Sequence, residues 1–151
     1  MTTIFLTTKI NAPIQTVFDL SRNIDVHQLS AEKTAETAIA GIRFGLIGLN
    51  ETVTWKGRHF GIYLTHKSRI SAFEMPNYFV DEMEKGHFKS FRHEHFFDSE
   101  NGVVMMKDKL QYETPFGIFG KLFDHLLLKK HLTQFLLKRN QHLKTLAENQ
   151  Q

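Results

Sequence analysis

The run FKSFRHEHFFD, Phe88–Asp98, decides how this chain is read. In an extended strand, residues i and i+2 share a face. His93 and His95 therefore point the same way, flanked by Phe91 and Phe97, while Arg92 and Glu94 point the other way. An aromatic face backed by a charged one is the pattern of a half-buried strand, and both imidazoles fall on its inward side. Ser99–Glu100–Asn101–Gly102 follows as a hairpin turn, since Asn-Gly accepts the left-handed backbone of a tight turn. The return strand, Val103–Tyr112, sets Val104, Met106, Asp108, Leu110 and Tyr112 on one face against Lys107, Lys109 and Gln111.

Working outward, Tyr78–Lys85 turns Phe79, Asp81 and Met83 inward, because Glu82 and Glu84 share the opposite side. Ile62–Phe73 alternates in the same way, with Ile62, Leu64, His66, Ser68 and Ile70 opposing Tyr63, Thr65, Lys67 and Arg69. Glu51–Phe60 carries Val53, Trp55 and His59 on one face, and Glu36–Ile42 is a further candidate strand. Met75–Pro76–Asn77 reads as a turn. At the N-terminus Thr2–Asn11 alternates, and Pro13 opens a short helix that uses Ile14, Val17 and Phe18. A second short helix runs through Asp25–Leu29. Gly41, Gly45 and Gly48 punctuate Ile42–Leu49 as a tight loop, but the GxxxxGK[ST] pattern of a phosphate loop is absent.

After Pro115 and Gly117, Ile118–Leu146 has the periodicity of one long helix, roughly 29 residues or ~44 Å at ~1.5 Å each. Its apolar stripe slips sideways between Leu126 and Leu132, which predicts a bend there, and a frayed tail is expected from Glu148. Together these elements predict a single α+β domain over residues 1–147: a curved antiparallel sheet whose concave face holds the long helix, with two short N-terminal helices.

Composition narrows the function classes. The chain has 151 residues, 41% hydrophobic and 23% charged, as an ordinary globular domain does. Phe is over-used, with 14 Phe beside 3 Tyr and 1 Trp, which calls for a large interior or a wide apolar cavity. The formal charge of +3 is spread without a basic stripe, so nucleic-acid binding has no support. The absence of Cys removes disulfides, thiolate catalysis and thiolate metal sites, and suits a reducing compartment. Met1–Ala12 does not read as a signal peptide and no run of about 18 apolar residues occurs. The expected location is cytoplasmic, with no membrane span.

The layout resembles the START-like (SRPBCC, helix-grip) superfamily. Within it the chain is similar to a bacterial subgroup described as polyketide cyclase/dehydrase-like or cell-division-inhibitor-like. The resemblance rests on Gly45–Leu46–Ile47–Gly48–Leu49, Val53–Thr54–Trp55, His59–Phe60–Gly61, Phe79–Val80–Asp81–Glu82–Met83 with Gly86, and Phe91–Arg92–His93–Glu94–His95. The Asp108 strand with Tyr112, and Pro115–Phe116–Gly117, complete it, so nearly the whole chain is covered. It implies a cavity under the terminal helix, which in better understood relatives holds lipids, hormones or polyketides and in a minority supports cyclisation or hydrolysis. Fold-level analogy implies a pocket, not an activity.

Strand pairing would bring Asp81, His93, His95 and Asp108 into one layer, with His66 or His59 nearby. A buried carboxylate stays charged when paired with imidazole, and it fixes the ring's tautomer. Trp55, Phe79, Met83, Phe91, Phe97, Met106 and Tyr112 are expected around that layer, with Leu122 and Leu126 supplied by the helix. The polar group reads in three ways: a satisfied network setting strand register, a ligand-orienting group, or a general base formed by His93 or His95 backed by Asp108. His-x-His has metal-ligand spacing, and Asp108 or His66 could complete a three-ligand set, but ligand count alone does not make a site, and no metal or other cofactor is expected. No G-x-S-x-G elbow supports hydrolysis. The expected function is binding of a small hydrophobic or lipid-like ligand oriented by the His/Asp group. One alternative is an acid–base cyclase or dehydratase acting on a polyketide-like substrate. Another is an interaction module whose cavity is filled by side chains. The apolar side of the terminal helix is assigned to the sheet, not to a membrane surface.

Overall fold

The computed structural model describes residues 1–150. Seven strands follow the alternation read above: β1 (Thr2–Ile10), β2 (Thr37–Gly41), β3 (Thr52–His59), β4 (Ile62–Glu74), β5 (Tyr78–Lys85), β6 (Ser90–Glu100) and β7 (Val103–Glu113). They form one antiparallel sheet in the order β1-β7-β6-β5-β4-β3-β2. Helices α1 (Ile14–Ser21) and α2 (Ile24–Ser30) follow β1, and α3 (Gly117–Phe123) and α4 (Lys129–Asn149) follow β7. No helix among the described residues is long and apolar enough to cross a membrane.

Register sets the site. His95 pairs with Asp108 on β7 and with Phe79 on β5, while His93 pairs with Leu110 and Asp81. Asp108 in turn faces Leu6 on β1. The β6–β7 turn uses Asn101 and Gly102 at φ 52° and 78°, the left-handed pair that a two-residue hairpin needs. Register shifts between Ala38 and Ala40 in β2, and between Ile70 and Ala72 in β4, are bulges that sharpen twist and bend a sheet.

Two apolar clusters form. Val17 and Phe18 of α1, with Phe79, Phe97, Met106 and Leu143, belong to the larger one. Phe18 stands edge-on to Phe73, Phe79 and Phe97, at ring separations of 5.3, 5.6 and 5.3 Å. Ile4, Leu110, Tyr112, Leu128, Leu132 and Leu136 form the second cluster.

A π turn stands beside the interval where a bend or change of partner is expected. Asp124–Leu128 is a π-helical turn between α3 and α4, and its extra residue rotates the apolar stripe. Asp124 is buried in that turn, accepting hydrogen bonds from Tyr112 Oη (2.5 Å) and the Thr2 hydroxyl. At the start of α3, Gly120 lies so close to the preceding loop that a Cβ would meet the Pro115 carbonyl oxygen at 1.8 Å.

One expectation about this helix needs correction. Ile118, Phe119, Leu122 and Leu126 do not pack on the sheet and are 76%, 77%, 56% and 61% exposed. Beyond the buried Gly120 and Asp124, the buried face starts its apolar run at Leu128 and continues through Leu132, Leu136, Arg139, Asn140, Leu143 and Ala147. Helical spacing marks which side chains share a face. It does not say how far along the helix the partner extends, and here the apolar buried face begins at Leu128, roughly three turns after the stripe starts at Ile118.

Candidate functional site

A cavity of about 660 Å³ lies between the inner face of the sheet and the C-terminal helices. Ile24, Ile47, Val53, Trp55, Ile70 and Phe79 of the larger cluster face it, as do Leu110, Leu128, Leu132 and Leu136 of the smaller. The chamber therefore stands between the two clusters. Eight of the 14 Phe and seven of the nine His line it. The Phe surplus is thus largely cavity wall, and the histidines are concentrated in one place.

The deepest polar group centres on Asp108. Its Oδ1 accepts from His93 Nε2 at 2.8 Å, and its Oδ2 accepts from Asn140 Nδ2 at 2.6 Å. His95 Nδ1 is 3.2 Å from Oδ1 but off line, and it has no hydrogen-bond partner among the described residues. Arg139 Nη1 stands 3.6 Å from the same oxygen while Nη2 donates to the Ser21 carbonyl at 3.0 Å. Burial alone would push the Asp108 carboxyl up, but the imidazoles of His93 and His95 bring it well below the usual carboxylate range. Burial, together with His93 and Arg139, holds His95 well below the ordinary imidazole value, so it is neutral near pH 7. His95 stacks on Phe79 (4.2 Å) and meets His93 at a tilt (3.9 Å). The group joins β6 and β7 to α4, and through Asn140 to Thr8 on β1.

A second polar group lies closer to the opening. Glu36, just before β2, accepts from His27 Nε2 at 2.7 Å and from His59 Nε2 at 3.2 Å. Burial would raise its pKa, yet these two hydrogen bonds lower it to about 2. An ionised Glu36 fixes both rings as Nε2–H tautomers. His59 is left with a lone pair on Nδ1, which accepts from His131 Nε2 at 3.0 Å. Burial and the neighbouring His59 keep His131 below its ordinary value. Phe60, left-handed at φ 50°, packs against Phe123 (5.2 Å) and His131 (4.6 Å) at the rim.

Of the residues singled out from the sequence, Trp55, His59, His66, Phe79, Asp81, Phe91, His93 and His95 border the cavity. Asp108 sits behind the two histidines and is not on the wall. Phe97 and Met106 are fully buried in the larger cluster, and Tyr112 in the smaller. Met83 is half-buried and off the wall, and Leu122 and Leu126 lie outside it in solvent. Sequence reading missed Glu36, His27, His131, Arg139 and Asn140. His131, Arg139 and Asn140 had a signal, being polar positions on the same α4 stripe as Leu128, Leu132, Leu136 and Leu143. His27 and Glu36 sit in α2 and a loop, where no periodicity reports orientation.

No protein-family model matches the sequence, and no curated protein does. Solved structures do. A START superfamily protein from Mycobacterium smegmatis superposes with a TM-score of 0.73 at 11% identity, covering 99% of both chains. A protein from Thermus thermophilus gives 0.72 at 16% identity, over 97% of this chain and 99% of the other. The major latex-like protein 151 of Panax ginseng gives 0.66 at 16%, over 97% of each. This is the START-like, helix-grip fold. At such identities the likeness is one of architecture. In this helix-grip chain the cavity, its imidazoles and its buried carboxylates are what remain for chemistry. They can orient a guest by hydrogen bonds, and they can accept or deliver a proton.

Proposed function

We propose that the protein binds a small hydrophobic or lipid-like molecule in the cavity between sheet and helix, with its polar end turned by the His93/His95/Asp108 group. One observation carries this reading. A chamber of about 660 Å³ with aromatic and aliphatic walls lies between the two clusters. Interiors normally close-pack, and an open apolar space forfeits contacts that a guest would restore. The size falls within the ~300–1,000 Å³ of small-molecule sites, which are mostly apolar with a few convergent polar groups. That volume speaks against the reading in which side chains fill the space. Trp55, Phe79 and Phe91 would form the contact wall, while Met83, Phe97, Met106 and Tyr112 support it from behind.

Native mass spectrometry of the protein as purified from its host tests this directly. A bound mass that is released on denaturation is expected. A bare polypeptide mass, together with no change in Trp55 emission on adding long-chain alcohols, would reject it.

A second reading, acid–base chemistry on the bound molecule, is favoured by the chain Glu36–His59–His131. A carboxylate that fixes the tautomer of an imidazole is how a general base is held ready. Under that reading His131→Gln abolishes turnover of an enolisable guest while leaving its affinity within about threefold.

A further inference from the structure

We infer that the guest carries a basic nitrogen and that Asp81 is its counter-ion. This rests on the ligand-binding reading and adds the chemical class of the ligand. The charges that face the cavity come from four places. Arg22 lies between α1 and α2, Glu36 precedes β2, Asp81 is on β5 and Arg139 is on α4; no lysine borders the cavity among the described residues.

Both arginines are engaged. Arg22 donates from Nε to Asp19 at 2.9 Å and from Nη1 to the Ile47 carbonyl at 3.1 Å, and its Nη2 is 2.8 Å from Asp19. Arg139 donates to Ser21 O and Asn140 Oδ1 beside Asp108. Glu36 is occupied by His27 and His59. Asp81 differs from all of these. Its Oδ1 is closed off from solvent and has no hydrogen-bond partner among the described residues.

His66 on β4 is one candidate to neutralise it. Burial holds that ring below the ordinary imidazole value, although Asp81 and Glu36 pull the other way. The other imidazoles near Asp81 are on β6. His93 is its cross-strand partner and is hydrogen-bonded to Asp108, and His95 is neutral. Among the described residues, the cavity thus has a carboxylate oxygen without a hydrogen-bond partner and no lysine or unengaged arginine beside it.

The walls suit the same guest. Asp81 shares its strand face with Phe79 and sits diagonally across from Phe91, which meets His66 edge-on at 4.9 Å. Aromatic faces attract organic cations through their quadrupoles, more strongly when water is excluded. A carboxylate set among aromatic rings favours an ammonium or protonated heterocycle. It disfavours an anion of the same skeleton, because like charges in a poorly hydrated space repel.

The test uses the wild-type protein and three guests on one skeleton, decylamine, decanol and decanoate, below their micellar concentrations near neutral pH. Trp55 is the sole tryptophan and lies on the wall, so its emission reports occupancy. Decylamine is expected to bind at least about tenfold more tightly than decanol, with decanoate weakest. Asp81→Asn should bring amine and alcohol together while leaving decanol within about twofold. Equal or tighter binding of decanoate or decanol to the wild type overturns the inference without any variant being made. An amine preference that survives Asp81→Asn, or that follows Glu36→Gln instead, overturns the assignment to Asp81. If decanol binds and the amine does not, ligand binding stands and this inference falls. If none of the three binds, the ligand-binding reading falls with it.

Discussion

Asp108 holds the buried polar group together, and its neighbours define what its loss would do. It accepts from His93 and Asn140 and neutralises the nearby Arg139. Asp108→Asn would leave that guanidinium buried without its anion, and breaking a buried pair from one side costs about 3–5 kcal/mol. Urea unfolding should show a lower midpoint at an unchanged slope. Acid acts on the same residues. His95 and His66 have folded-state values below the ordinary 6.5, so the unfolded chain takes up their protons first. Their contribution is complete above about pH 6.5 and is lost as pH falls below it, by at most about 1.4 kcal/mol per pH unit for each ring. Glu36 and Asp108 are depressed carboxylates. Their contribution is present above their unfolded values near 4 and is lost below them as pH falls towards about 2, the value of Glu36. Unfolding free energy should therefore be flat just above neutrality and decline in two stages on acidification. A midpoint that rises between pH 7 and 5 would contradict these assignments.

The C-terminal helix divides at its π turn into a segment the sheet does not cover and a segment it does. Leu136 is buried in the smaller cluster, whereas Leu122 is exposed. Leu136→Ala is expected to cost about 2–5 kcal/mol, and Leu122→Ala less than about 0.5 kcal/mol; equal losses in chemical denaturation would mean that α3 packs as the sequence stripe suggested. Gly120→Ala should destabilise despite Ala's helix propensity advantage of about 1 kcal/mol, since its Cβ would overlap the Pro115 carbonyl, which as backbone cannot swing aside like a flexible side chain. These contrasts show what was legible in the sequence. The strands were, because period-two alternation ties identity to face, and His93, His95 and Asp81 were correctly turned inward on that basis. The slip between Leu126 and Leu132 overlaps the end of the π turn at Asp124–Leu128. The exposure of Leu122 and Leu126 was not legible, since a stripe carries no information about where its partner ends. Nor was the Glu36–His59–His131 chain, whose members approach only after a loop, a strand end and a helix have packed. Asp108 was legible as a partner of the histidines but not as lying behind them, because alternation gives a face and not a depth.

At the scale of the molecule, the cavity separates two apolar clusters that a guest would join, so occupancy should appear as stability. A ligand that binds only the folded chain stabilises it by RT ln(1 + [L]/Kd), about 2.7 kcal/mol at a hundredfold excess over Kd. In a chain of 151 residues, each kcal/mol moves the thermal midpoint by about 2–4 °C, so saturating decanol should raise it by roughly 5–11 °C. A rise alone does not locate the guest, because binding anywhere on the folded state has the same effect. Leu64 borders the cavity from β4, and Leu64→Trp would occupy part of the volume a guest needs. Scanning calorimetry of that variant should show a decanol shift smaller than the wild type's at the same concentration, with an unliganded midpoint that is not lowered by a newly opened void. Leu122→Trp adds the same side chain on the exposed helix outside the cavity and should keep the full shift. If Leu64→Trp retains the wild-type response, decanol binds elsewhere and the chamber is not the site. If both variants lose it equally, the response reflects added tryptophan and not filled volume. Only loss at Leu64 with retention at Leu122 places the guest between sheet and helix, where the two clusters face each other across the open space.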